Sequence, residues 1–373
     1  MTRARLAARC IRGLEPVLAS EILRDELGVI TRQGHREVRF DALRPGGRFE
    51  PRTADDVFLL AAEMPDPGPA KAGVAGLAEL AAGLDAAALL RTRRAYRSSG
   101  GSARAPAGSG WSEGAGVPGV EVSASFLGRR NFNRYDVEDA VGRALARVLG
   151  VAYHSRRSGA APPPGCLGWR VVLDGERAAL MVRLGDRPAH RRAYKRATVP
   201  GTLHPPVAAA MALLADLRPE HRVVDPCCGA GTLLIEAARV QPQARYRGFD
   251  LAPDALRAAR ANADGHPAIT VEAGDAGALP LPARSVDRVL ANPPWGEQVR
   301  AYGRLAVRPA RWWAELARVL ADDGQAVVLI PDTADLAAAI GHGLRPAMVQ
   351  QVSLFGAQPY IVRLVPARSL RRR

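Results

Sequence analysis

The run Asn292-Pro293-Pro294-Trp295 is the part of the sequence whose residue types and spacing most directly specify chemistry. Two consecutive prolines fix the backbone and remove two N–H donors. The Asn292 side-chain oxygen and the Pro293 carbonyl can then converge on one small target. An exocyclic base amine is a poor nucleophile, because its lone pair is delocalised into the ring. Two acceptors holding its hydrogens favour a pyramidal nitrogen with its lone pair aimed at a methyl donor. Trp295 offers a flat apolar surface for an extruded base, worth roughly 1–3 kcal/mol of stacking. Alignment is the main contribution of such a site, and the methylated amine loses its proton without a strong base. Taken alone, the run could also be a proline turn that ends a strand and carries a core tryptophan.

A second cluster precedes it. Asp225-Pro-Cys-Cys-Gly-Ala-Gly-Thr232 follows a strand pattern and opens a helix pattern. Gly229 and Gly231 leave room for a sharp turn or close backbone approach. Leu234 stands where the dinucleotide fingerprint needs its third glycine, and no Walker lysine follows. Asp250 ends the next strand, where an acid can accept both hydroxyl hydrogens of a ribose. Asp275 follows the third strand and could accept from an adenine amino group. A glycine turn with acids after successive strands fits an adenosine-containing ligand without a pyrophosphate. Singly, each acid could equally be a cap or loop residue.

These residues need a scaffold. From Pro206 onward, helix and strand patterns alternate: helix 207–217, strand 222–225, helix 232–240, strand 246–250, helix 253–263 and strand 269–272. Strand 286–291, helix 309–320, strand 325–330, a short helix and strands near 348–355 and 360–365 complete the series. Such alternation implies an α/β fold with a mostly parallel sheet covered on both faces. Before it, the spacing predicts helices over 15–27 and 74–90 and a strand over 120–126. It also predicts a helix capped by Asp136, with the stripe Val137, Val141 and Leu145, and a hairpin turning at Asp174-Gly175. The Gly/Ser/Pro-rich stretch 98–119 reads as a flexible insertion. The domains expected are an N-terminal region over 1–185, a linker over 186–205, a catalytic domain over 206–367 and a basic tail over 368–373.

The chain of 373 residues carries 52 Lys+Arg against 37 Asp+Glu, a net charge of +15. Only Lys71 and Lys195 are lysines, so arginine supplies nearly all of the positive charge. Residues 1–205 hold 32 basic and 21 acidic residues, and residues 206–373 hold 20 and 16. A basic half beside a near-neutral half suggests a polyanion-binding module joined to something else, although a solvated basic surface would have the same composition. The candidate RNA-contacting cations are Arg129, Arg130 and Arg134, with Arg191, Arg192, Lys195 and Arg196 in the linker. Four cysteines without paired C-x-x-C spacing make a disulfide framework or a metal site unexpected. No apolar run reaches membrane-spanning length, and no signal peptide is read at the start. The expected setting is the cytoplasm, with a monomer favoured.

Asn292-Pro-Pro-Trp-Gly-Glu297 and Asp225-Pro-Cys-Cys-Gly-Ala-Gly-Thr-Leu-Leu-Ile-Glu236 resemble the catalytic and first motifs of THUMP-domain class I RNA guanine-N2 methyltransferases. His190-Arg-Arg-Ala-Tyr194 is similar to their entry into the catalytic domain, and Arg12-Gly-Leu-Glu15 and 126–150 to their N-terminal segments. The resemblance implies a Rossmann-like domain with a seven-stranded sheet, preceded by an α+β ferredoxin-like/THUMP region. It implies S-adenosylmethionine as cofactor, held by Asp225, Cys227, Gly229, Gly231, Thr232, Asp250, Leu251, Asp275 and Ala276, with Asn292 also in contact. Asn292, Pro293, Pro294 and Trp295 would take the base. Trp295 stands where Tyr or Phe is commoner. The implied partner is RNA, foremost tRNA methylated at guanosine 6 of the acceptor stem. The alternatives are guanine-N2 of 23S ribosomal RNA, adenine-N6 of RNA or DNA, and a non-catalytic RNA-binding factor. A nicotinamide oxidoreductase is disfavoured by Leu234 and by the proline motif.

Overall fold

The first half of the chain is built around a sheet whose central strands are buried along most of their length, with alternating burial confined to strands nearer its edges. A computed structural model describes residues 3–45, 49–96, 118–294 and 302–368. The chain divides into two compact units, Met1–Arg9 with Ala19–Ala189 and Cys10–Leu18 with His190–Arg373. The first contains β1 (Arg5–Arg9), β2 (Gly28–Gly34), β3 (Glu37–Ala42), β4 (Asp56–Pro65), β5 (Gly119–Phe126), β6 (Ala152–Tyr153), β7 (Leu167–Leu173) and β8 (Arg177–Arg183). They form one sheet in the order β2-β3-β1-β4-β8-β7-β5-β6. Helix α1 (Glu15–Arg24) contributes to both units; α2 (Glu79–Ala82), α3 (Ala86–Tyr96) and α4 (Arg134–Leu149) belong to the first.

The parallel pairing of β5 with β7 is made possible by α4, which carries the chain across between them. Val137, Val141 and Leu145 on α4 are fully buried, as their spacing predicts. The cap is one turn earlier than expected. Asn133 accepts from the N–H groups of Tyr135 and Asp136, while the Asp136 side chain accepts from the Asn133 N–H, so Asp136 closes a capping box. The helix expected over 74–90 is broken into a 3-10 turn (Lys71–Ala78), α2 and α3. Gly83 ends α2, and Asp85 accepts from the Ala88 N–H at 2.9 Å to start α3. The hairpin forms at Asp174-Gly175, where Gly175 has φ +97° and Asp174 accepts from the N–H groups of Glu176 and Arg177. Most of the expected insertion, residues 98–117, lies outside the described residues.

Arg130 is a structural residue rather than an exposed RNA contact. Its side chain is 5% exposed and meets Asp66, 1% exposed, through two parallel hydrogen bonds of 2.6 and 2.7 Å. Burial opposes the Asp66 charge, but Arg130 and the N–H groups of Gly68 and Gly175 hold its carboxyl below the ordinary range.

The second unit carries β9 (Arg222–Asp225), β10 (Arg245–Asp250), β11 (Ile269–Ala273), β12 (Val286–Ala291), β13 (Leu320–Ile330), β14 (Leu344–Gln351) and β15 (Tyr360–Pro366). Their order is β11-β10-β9-β12-β13-β15-β14. The first five are parallel, and β15 is antiparallel to both β13 and β14. Helices α5 (Pro205–Leu214), α6 (Thr232–Val240), α7 (Pro253–Asn262), α8 (Gly303–Val307), α9 (Arg311–Val319) and α10 (Ala334–Gly341) connect them. Each boundary lies within a few residues of expectation except at β13, which begins at Leu320. Its register on β12 shifts between Val286 and Arg288, so pairing resumes at Gln325. Trp312, Leu316 and Val319 on α9 pack with Val224, Val289 and Val328 of the sheet.

Of the expected linker 186–205, residues 190–205 belong to this unit and 186–189 to the first. Arg368, expected in a loose tail, bonds Asp322 at 2.7 Å and the carbonyls of Ala317 and Leu320. Residues 369–373 lie outside the described residues. Among the described residues, no single helix is long and apolar enough to cross a membrane.

Replacing Arg130 with alanine leaves the Asp66 carboxylate without its counter-ion. The expected loss is roughly 1–3 kcal/mol of stability, read as a lower urea midpoint for the full chain. An unchanged midpoint would mean that the pair is solvated.

Candidate functional site

The site grows from the turn after β9. Gly229 (φ +51°) and Gly231 (φ +77°) both occupy the left-handed region that favours glycine. The Gly231 N–H donates to the Cys228 carbonyl at 2.8 Å, and the Cys228 N–H donates to the Phe249 carbonyl at 2.9 Å. This stitches the turn to β10. Asp250, ending β10, accepts from the N–H groups of Gly229 and Ala252, each at 2.9 Å. Its two oxygens thus fix two loops and keep further lone pairs for a ligand. Close approach needs Gly248, where an added Cβ would lie 2.6 Å from Leu234 Cδ1 and 3.0 Å from Cys228 Cβ.

These loops wall a cavity of about 1040 Å³. Asp225, Cys227, Gly229 and Thr232 line it, as do Asp250, Leu251 and Ala276 from the next two strand ends. Asn292, Pro293 and Pro294 reach it from the end of β12. Trp295 lies outside the described residues. Gly231 serves the turn. Asp275 is the exception: its carboxylate accepts from the N–H groups of Gly277 at 2.8 Å and Arg304 at 3.0 Å. It thereby holds the start of α8 rather than lining the cavity, because an acid just after a strand end satisfies the nearest free N–H groups.

Charge is costly here. Asp225 is 1% exposed. Burial first, then the Asp250 charge, push its carboxyl up to about 8, against the N–H of Cys227, which accounts for only part of the balance. Burial raises both adjacent thiols well above the usual range, so Cys227 and Cys228 are packing residues and not thiolates. The Thr232 hydroxyl is buried without a hydrogen-bond partner. An orphaned hydroxyl, spare Asp250 lone pairs and a bare glycine turn suit a polar ligand that carries an adenosyl group and a cationic centre. S-adenosylmethionine fits these residues, and when bound it supplies a methyl group on a sulfonium.

Other parts of the wall escaped the sequence. Residues 197–203 line the cavity, and the Asn292 amide nitrogen donates to the Gly201 carbonyl at 3.3 Å. Pro200-Gly201 is a turn signal, but it specifies no neighbour. Tyr302 (59% exposed) and Phe355 (73% exposed) add aromatic surface at the cavity. Phe355 sits in a turn at φ +51° rather than in the expected strand, a position that costs a bulky residue roughly 1–3 kcal/mol.

The linker cations divide. Arg192 bonds the fully buried Glu236 at 3.1 Å, so it anchors rather than reaches outward. Lys195 is half-buried, and burial lowers its ammonium pKa. Arg191 and Arg196 are exposed, the latter bonded to Asp264 at 2.8 Å. In the first unit, Arg129 and Arg134 are exposed, Arg134 lying 4.7 Å over the Tyr135 ring.

The Asp225 carboxyl has a pH consequence. Its folded value of about 8 lies above the ordinary 3.8. Between these values the folded chain binds more protons than the unfolded chain, so this group's contribution to stability falls as pH rises through that window. Asp225→Asn should therefore raise the thermal midpoint at pH 8, by roughly 2–4 °C per kcal/mol relieved. The difference should shrink towards pH 4, and a gain independent of pH would contradict the assignment.

Comparison with known proteins agrees with this geometry. Residues 192–356 match the model of the RMKL-like methyltransferase domain. A tRNA (guanine(6)-N2)-methyltransferase of Thermus thermophilus is 39% identical over 189 residues, covering 50% of this chain and 54% of the relative. The U6 snRNA (guanine-N(2))-methyltransferase THUMPD2 of Bos taurus is 29% identical over 202 residues, covering 50% of this chain and 37% of the relative. The chain thus spans about half the length, or less, of these relatives. The crystal structure of TrmN from Thermus thermophilus superposes with a TM-score of 0.74 at 28% identity, covering 97% of this chain and 99% of that one. Residues 192–356 thus match an RMKL-like methyltransferase domain, and the chain shares the fold of the TrmN structure over nearly its whole length.

Proposed function

We propose that this protein transfers a methyl group from S-adenosylmethionine to the exocyclic N2 amine of a guanosine in structured RNA, with tRNA as the substrate and the acceptor stem at position 6 as the target. The observation that carries the reading is Asn292. Its amide nitrogen is engaged by the Gly201 carbonyl, and it lines the same cavity as the glycine turn and Asp250. With the nitrogen donating to Gly201, the amide oxygen, the acceptor end of the group, is left for an amine. The Pro293 carbonyl, whose neighbour Pro294 has no N–H, is a second acceptor. The Asn292 oxygen and the Pro293 carbonyl would hold the amine hydrogens and aim its lone pair, and S-adenosylmethionine, when bound, would supply the electrophilic methyl group. The cationic methylated amine then releases a proton to solvent.

The names of the Thermus thermophilus and Bos taurus relatives support guanine-N2 over adenine-N6. The net charge of +15 supports a polyanionic substrate. In this reading, Met1–Arg9 with Ala19–Ala189 is the THUMP-type RNA-binding region, and exposed Arg129 and Arg134 are its candidate contacts. The protein acts as a cytoplasmic monomer without a metal.

Purified protein, labelled S-adenosylmethionine and unmodified tRNA and ribosomal RNA pools, digested to nucleosides, test the substrate. N2-methylguanosine from tRNA is expected. N6-methyladenosine, or label in ribosomal RNA alone, would overturn the substrate, and no label at all would favour a non-catalytic RNA-binding factor. Asn292→Ala should lower transfer roughly 10²- to 10³-fold while S-adenosylhomocysteine affinity stays nearly constant by calorimetry. Full activity in that variant would remove Asn292 from catalysis.

A further inference from the structure

Asn262, the last residue of α7, is 2% exposed and uses its entire amide. Its oxygen accepts from the N–H groups of Arg196 at 2.8 Å and Ala197 at 2.9 Å. Its nitrogen donates to the carbonyls of Ala197 and Ala230, each at 2.9 Å. Four hydrogen bonds saturate an asparagine side chain. All four go to backbone, one to Ala230 in the glycine turn and three to Arg196 and Ala197, where the cavity-lining stretch 197–203 begins.

The second segment leads to the catalytic amide. Val199 to Thr202 is a tight turn with Pro200 and Gly201 (φ +72°) at its centre, the residue types that such a turn requires. The Thr202 N–H donates to the Val199 carbonyl at 3.1 Å. The Thr202 hydroxyl accepts from the Val199 N–H at 3.0 Å and donates to the Val199 carbonyl at 2.5 Å. The turn thus presents the Gly201 carbonyl, which takes the Asn292 amide nitrogen at 3.3 Å. An asparagine amide can rotate by half a turn at little cost when nothing distinguishes its ends. A fixed carbonyl beside it selects the orientation that leaves the oxygen to accept.

We propose that Asn262 is a positioning residue for methyl transfer: it anchors residues 196–202 to the glycine turn, so that the Gly201 carbonyl holds Asn292 with its oxygen presented to the acceptor amine. The proposal rests on the amine-methylating role given to Asn292 above. Asn262 does not line the cavity. Its effect passes through the turn, and the link to Ala230 sets the cofactor loop and the acceptor amide in one frame.

A double-mutant cycle under single-turnover conditions with full-length protein tests it. Asn262→Ala should lower the rate of transfer roughly 10- to 100-fold, with a much smaller change in calorimetric affinity for S-adenosylhomocysteine. In the Asn292→Ala background, the same substitution should change the residual rate by less than about twofold, as expected for residues acting through one another. Thr202→Val should behave like Asn262→Ala. Thr202→Ser, which keeps the hydroxyl, should restore the wild-type rate, so the test does not depend on the buried variant folding well. Multiplicative effects of Asn262→Ala and Asn292→Ala, or a loss confined to cofactor affinity, would overturn the proposal while leaving the methyltransferase reading intact. A wild-type protein inactive on every RNA pool would sink both.

Discussion

The Asp250 carboxylate sets the geometry on which the site depends. One oxygen holds the Gly229 N–H and the other holds the Ala252 N–H, so a single side chain fixes the loops after two adjacent strands. Parallel strands end in loops that are not joined by sheet hydrogen bonds, and a side-chain acceptor is the available means of locking one to the other. The glycine turn can then remain free of side chains without collapsing into the cavity. The Cys228 N–H to Phe249 carbonyl bond repeats the same connection through the backbone.

Stability is conceded at this locked edge. Asp225 is buried beside a second acid, and the Thr232 hydroxyl lacks a partner. Phe355 occupies a backbone conformation that suits glycine. None of these helps the fold, and all three line the same cavity. Unpartnered polar atoms also occur elsewhere, at Trp312 Nε1 on α9 and Arg363 Nε on β15, but the cavity gathers three compromises in one place. Such a concentration is expected where binding energy must be available for a ligand rather than for the empty protein.

The strands and helices of the second unit were legible because each obeys one period. Thr232–Val240 and Val286–Ala291 could be placed residue by residue, since glycine or proline marks an end of each. Asn292, Asp225 and Asp250 were legible because strand ends with chemically capable side chains are few. Asp275 shared that signature but was taken by nearby N–H groups, a competition that depends on where α8 begins. Arg130 and Arg192 read as free cations because sequence does not show a partner 64 or 44 residues away. Asn262 was invisible for the same reason. A polar residue at a helix end has no distinctive pattern, and its four partners come from chain far removed in sequence.

The order of the last strands has a consequence for synthesis. β15 lies between β13 and β14, although it is made after both. A growing chain in which β14 has emerged has no neighbour for that strand in this sheet until β15 follows. The turn that carries Leu354, Phe355 and Ala357 to the cavity joins these two strands, so this wall is completed only after the glycine turn and Asn292 have long left the ribosome. At about 5–20 residues per second, translation itself delays the closing of the pocket, and a nascent domain with its first five strands paired still lacks the Phe355 part of the aromatic surface that the finished protein presents.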